Sequence, residues 1–234
     1  FGTWHTRLDL AFPGDQYVLP NVGFSSELAK LDFLEPDKET PVRVVSVPKT
    51  LKGPRIIAME PVCMAYAQQA LLHEIVRSIE DSKYASCIRF TDQSVNGALA
   101  LSSSRSRSHA TLDLKDASDR VSLQLAELLF SRLPNLWEAA EACRSRTAAL
   151  PDGRTIRLAK WASMGSALCF PVLAMTAYVA ITMAVKRRKG CSIERACCLV
   201  NKNAAIYGDD IVVPVDWSRD VILTLEAVGL RVNV

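Results

Sequence analysis

Ala204-Ala205-Ile206-Tyr207-Gly208-Asp209-Asp210-Ile211-Val212-Val213 sets two adjacent carboxylates between two apolar runs. The runs read as short strands, and Gly208-Asp209-Asp210 as the turn that joins them. Like charges a few ångströms apart repel and raise each other's pKa. A divalent cation removes that conflict, and magnesium in particular takes one or two carboxylates together with phosphate oxygens. Gly-Asp-Asp is also an ordinary hairpin turn, so its meaning depends on what surrounds it.

Upstream, Ala110-Thr111-Leu112-Asp113-Leu114 predicts a strand with Leu112 and Leu114 on one face and Thr111 and Asp113 on the other. Asp113 joins the paired carboxylates if its strand neighbours theirs. Ser118 or Asp119 is expected to cap a following helix that buries Val121, Leu125, Leu128 and Leu129, with Pro134 past its end. Ser102 to Ser108 reads as a polar linker. Leu150-Pro151-Asp152-Gly153 predicts a hairpin turn, Arg154 to Trp161 its returning strand, and Pro171 to Arg188 a long apolar helix. Nearer the start, Val42 to Val47 predicts a strand, Pro48 to Pro54 a basic loop, and Arg55 to Met59 renewed extended structure. Pro61 opens an amphipathic helix with Met64, Leu71, Leu72, Ile75, Val76 and Ile79 on one face. Beyond the carboxylates, Ser218 to Val228 predicts a helix capped by Gly229, and Leu230 to Val234 a strand. Helices interleaved with short strands imply an α/β or α+β architecture.

The 234 residues are 49% hydrophobic and 23% charged, with 28 Lys+Arg against 25 Asp+Glu and a net charge of +3. That balance excludes disorder, collagen and a histone-like tail, and it creates no global field for a polyanion. The seven cysteines (Cys63, Cys87, Cys143, Cys169, Cys191, Cys197, Cys198) lack zinc-finger spacing and are expected to be reduced and mostly buried. Three histidines leave little room for a histidine cage or a conventional triad. Trp161 to Val185 is uncharged and is followed by Lys186-Arg187-Arg188-Lys189, a pattern that suits a single membrane span. Its loop-like opening, Ala162 to Ser166, and Pro171 shorten the helical part to a length that suits a buried core helix.

The ordered set resembles the motifs of viral RNA-dependent RNA polymerases, and more narrowly the replicases of small RNA bacteriophages, the leviviruses. Val47-Pro48-Lys49-Thr50-Leu51-Lys52-Gly53-Pro54-Arg55-Ile56-Ile57-Ala58-Met59-Glu60-Pro61 is similar to their basic motif F, and Ala110 to Asp119 to motif A. Ser163-Met164-Gly165 resembles motif B, Ile206 to Val213 motif C, and Leu225 to Leu230 the start of motif D. The resemblance implies a right-hand polymerase fold. A fingers-type region would span residues 1–108, with motif F at about 42–61. A palm with an antiparallel sheet backed by helices would span 109–234, and the thumb would be absent.

The resemblance also implies roles. Asp113, Asp209 and Asp210 would form the catalytic metal site for two magnesium ions, with manganese as a substitute. Lys49, Lys52 and Arg55 would neutralise the nucleoside triphosphate, Asp119 would sense its ribose 2′-hydroxyl, and Ser163 and Gly165 would shape the loop beside the nascent pair. The implied activity is RNA-directed RNA synthesis for viral genome replication, on an RNA template, in the cytoplasm of an infected bacterial host and without a membrane. Levivirus replicases recruit host translation factors, although no residue here marks such a surface. Ser166 stands where many relatives have Asn after the motif B glycine, which puts the 2′-hydroxyl network in question. A reverse transcriptase-like polymerase is the alternative within the class; the polar Ser118-Asp119 and Gly208 favour RNA synthesis. The single-span membrane protein is the alternative outside it. With Phe1 at its start and the paired aspartates close to Val234, the chain is expected to be a fragment, inactive by itself.

Overall fold

A computed structural model of the chain describes residues 2–18, 21–50 and 53–233, without the side chains of Val22, Lys49 and Thr50. The elements begin with β1 (Thr3–His5), α1 (Thr6–Ala11), α2 (Gly14–Tyr17), a 3₁₀ segment (Val22–Lys30), β2 (Asp32–Leu34), β3 (Val42–Thr50), β4 (Gly53–Met59) and α3 (Val62–Glu80). They continue through α4 (Ser94–Ser106), β5 (His109–Leu114), α5 (Ala117–Arg120), α6 (Leu123–Phe130), α7 (Pro134–Ala142), β6 (Thr147–Ala149) and β7 (Thr155–Arg157). Last come α8 (Cys169–Lys189), α9 (Ile193–Asn203), β8 (Ala205–Tyr207), β9 (Asp210–Pro214), α10 (Val215–Ala227) and β10 (Val232–Asn233). They group into two compact units that interleave along the chain: residues 1–72 with 130–169, and residues 73–129 with 170–234.

In the first unit, β3 and β4 form an antiparallel hairpin, and β3 also pairs in parallel with β6, which turns back antiparallel to β7. Val42, Ala58 and Ala148 are buried together at this sheet. The expected basic loop is largely strand, since β3 runs through Pro48 and Lys49 to Thr50 and β4 resumes at Gly53. The register shifts between Val47 and Thr50, the kind of irregularity that admits a proline with no N–H to give the ladder. The turn at Leu150 to Gly153 forms as expected, closed by Leu150 N–H donating to Arg154 O at 2.8 Å, but its returning strand stops at Arg157. Pro134 lies past the end of α6 as expected and also opens α7, in whose first turn its missing N–H costs nothing. Buried Arg7 ties α1 to the end of α7: its guanidinium pairs with Glu39 through two 2.8 Å bonds and donates to the carbonyls of Ala142 and Arg144. Trp161 packs on Trp137 with ring centroids 5.7 Å apart and on Phe130 at 6.1 Å.

In the second unit the sheet is four-stranded and antiparallel throughout, in the order β10-β5-β9-β8. The alternation expected for β5 holds: Leu112 and Leu114 are buried, while Thr111 and Asp113 are exposed. Ile211 lies opposite Leu112 and Val213 opposite Ala110, so these residues share one face. α10 contacts β5, β9 and β10 and contributes Trp217, Val221 and Leu225 to the core. It ends in a Schellman arrangement around Gly229 (φ +94°): Gly229 N–H donates to Glu226 O and Leu230 N–H to Leu225 O.

Two helical expectations change. Ser102 to Ser106 is the last turn of α4 rather than a linker, its hydroxyls bonding back to carbonyls three or four residues earlier. The helix after β5 is broken in two; Asp116 (φ +51°) precedes α5, and Ser122 Oγ accepts from Leu125 N–H at the start of α6. Leu128, expected on the buried side, is exposed; α6 buries Ala126 and Phe130 instead. α8 has the length and apolar composition of a membrane span, yet 72% of its most apolar window is buried inside the protein. All seven cysteines are free thiols; Cys63, Cys87 and Cys143 are buried and the other four are partly exposed.

Candidate active site

The site is assembled by strand register. Asp113 at the end of β5 lies directly opposite Asp210 at the start of β9. Residues so paired carry their Cβ atoms about 4.5–5.5 Å apart on the same face. Asp209 precedes Asp210 in the two-residue turn from β8, and all three carboxylates are exposed. Gly208 occupies the first central position of that turn with φ +61°, where a glycine-first hairpin requires a positive φ. Phe170 of α8 covers it: a Cβ on Gly208 would stand 2.0 Å from Phe170 Cε2. The same ring meets Tyr207 edge-on at 5.1 Å and Phe90 at 6.0 Å. The acidic turn thus rests on an aromatic base in its own unit.

The electrostatics follow from this crowding. The Asp210 carboxyl is held above its usual range by burial first, then by the charge of Asp209, with Asp113 adding to it and a hydrogen bond from Gln93 opposing. Gln93 Nε2 donates to Asp210 Oδ2 at 2.9 Å, and Asn96 Nδ2 to the Asp210 carbonyl at 3.0 Å. Asn233 Nδ2 on β10 donates to Asp113 Oδ2 at 2.5 Å. A cleft of about 310 Å³ runs along this face, with Gln93 at the N-cap of α4 and Asn96 and Ala100 within α4 on one side and Thr111, Asp113 and Asp210 on the other. None of the three amides was singled out by sequence reasoning.

Asp119 lies on α5 of the same unit, exposed, with its backbone N–H bonded to Asp116 O. The other expected site residues belong to the first unit. Lys52 lies outside the described residues, as does the side chain of Lys49; Arg55 is exposed on β4 opposite Val47. Ser163 is buried and Gly165 has φ +134°. A Cβ on Gly165 would lie 2.0 Å from the Ala58 carbonyl oxygen, and Ala58 N–H donates to Met164 O at 2.8 Å, so this loop lies flat on β4. Gln68, also missed in the sequence, anchors its far end. Fully buried in α3, it accepts from Ser166 Oγ at 3.0 Å and Ala167 N–H at 3.1 Å and donates to Cys143 O at 2.8 Å.

A viral RNA polymerase shares this fold. The chain is similar in structure to the RNA-dependent RNA polymerase of BmCPV at its elongation state, with a TM-score of 0.55 at 10% identity over 96% of this chain and 22% of that one. The chain belongs to the family described as RNA replicase, beta-chain, whose model matches residues 35–234. It is 35% identical over 192 residues to the RNA-directed RNA polymerase subunit beta of Qbeta virus (strain MX1), covering 82% of this chain and 30% of the relative. It is 31% identical to the corresponding subunit of Enterobacteria phage SP, over 87% of this chain and 33% of the relative. To the RNA-directed RNA polymerase beta chain of Escherichia phage MS2 it is 31% identical, over 81% of this chain and 32% of the relative. The chain therefore spans about a third of the length of these relatives.

Proposed function

We propose that the chain carries the nucleotidyl-transfer site of an RNA-directed RNA polymerase that extends an RNA 3′-hydroxyl with ribonucleotides during phage genome replication in an infected bacterium. The observation that carries this reading is the register that sets Asp113 opposite Asp210 with Asp209 beside it. Family membership and the polymerase fold support it. Residues 109–234 would supply the palm and residues 1–108 the fingers region.

The donor chemistry fits magnesium: carboxylate oxygens are hard ligands, and the ion completes its shell with substrate phosphate and water. Among the described residues no three His, Cys, Asp or Glu side chains close a cage by themselves. Asp113 and Asp209 would hold two such ions, with Asp210 supporting them and manganese able to substitute. When bound, they would activate the attacking hydroxyl and neutralise charge on the triphosphate. Lys49, Lys52 and Arg55 would bind the triphosphate, Asp119 would orient the ribose through its 2′-hydroxyl, and Ser163 and Gly165 would shape the loop beside the base pair. Asp209→Asn, in a longer polypeptide that carries the chain and is active, should lower ribonucleotide incorporation on a primed RNA template by orders of magnitude while RNA binding stays near normal. Near-normal incorporation would overturn the assignment.

A further inference from the structure

We propose that Gln93 and Asn233 are positioning residues that hold Asp210 and Asp113 ready for a divalent cation without supplying any charge of their own; this rests on the metal reading above. The two amides come from the N-terminal end of α4 and from β10, and each donates to one carboxylate oxygen, at 2.9 and 2.5 Å. Asn96 fixes the α4 side by donating to the Asp210 carbonyl at 3.0 Å.

The residue type matters as much as the contact. Adjacent carboxylates repel, and a Lys or Arg between them would relieve the repulsion by neutralising the charge a cation needs. An amide N–H steadies an ionised oxygen and leaves the negative charge in place. Each carboxylate has about four acceptor positions, so one amide bond leaves the others open. Groups that orient metal ligands in this way are worth roughly 10–100-fold in affinity. Gln93 and Asn233 are both exposed, so neither contact is needed to fill the core.

The test uses Mn²⁺ binding to the whole chain, read by electron paramagnetic resonance, with thermal melting as a control for folding. The unaltered chain should bind Mn²⁺, and Asp113→Asn or Asp209→Asn should abolish most of the binding. Gln93→Leu and Asn233→Leu should each weaken it about 10-fold or more with little change in melting. Gln93→Lys restores a donor, so a purely structural role predicts rescue; the charge argument predicts affinity no better than that of Gln93→Leu. If the unaltered chain binds no Mn²⁺, the metal reading falls and this inference with it. If it binds and the Leu variants bind equally well or more tightly, or if Gln93→Lys restores affinity, the positioning inference alone is overturned.

Discussion

At Gly208 two demands meet in one residue. The turn needs φ +61° there, and the Phe170 ring occupies the space where any Cβ would go. A left-handed conformation costs a residue with a Cβ about 1–2 kcal/mol, and forcing an atom into a packed contact costs typically another 1–3 kcal/mol. Gly208→Ala should therefore destabilise the chain by roughly 2–5 kcal/mol, seen as a lower urea midpoint. A loss of only about 1–2 kcal/mol would mean that Phe170 moves aside freely and that the backbone conformation alone sets the cost. Single residues were legible in the sequence where they sat in a pattern. The exposed side of β5 followed from its alternation, and that alternation placed Asp113 with Thr111. Gln93 and Asn233 were illegible because a lone amide carries no pattern and its partner lies 117 or 120 residues away.

Among the elements, strands and turns with strong local chemistry were read correctly, including the β8–β9 hairpin and the Gly229 cap. The tail of α4 was misread because Ser102 to Ser106 lacks an apolar stripe; helix there depends on the packing of α4 against β5, β8 and β9. β1 and β2 were not read from the sequence because they are three-residue strands whose pairing is non-local. His5, fully buried at the end of β1, accepts a hydrogen bond from Thr40 N–H at its Nε2, 3.3 Å away. Burial lowers its pKa from the usual 6.5, with Arg7 helping and Glu39 opposing. A base whose folded pKa is depressed contributes stability above its unfolded pKa and loses it as pH falls through the folded one. Urea unfolding followed by tryptophan fluorescence should show stability declining below about pH 6.5, and His5→Gln should flatten that decline. An unchanged slope in the variant would assign the acid sensitivity elsewhere.

For the molecule as a whole, composition alone left α8 open to two fates, core or bilayer. Its burial decides for the core: Tyr178 bonds to Asn201 of α9 at 2.9 Å, Arg187 to Thr224, and Arg188 to Asp220 at 2.8 Å, so even the basic run after the apolar stretch has partners in α10. Expressed in bacteria, the chain should leave the membrane fraction on alkaline carbonate extraction; retention would restore the membrane-span reading. The interleaving of the two units was not legible, because motif order follows the chain whereas packing brings residues 130–169 back to residues 1–72. The parallel pairing of Val42 with Ala148 has a consequence for biosynthesis. On the ribosome, the β3 edge is made before β6 and stays unpaired until β6 emerges, with residues 73–129 of the other unit translated in between. An open strand edge is a template for wrong partners, so until β6 has emerged the β3 edge leaves the nascent chain open to mispairing.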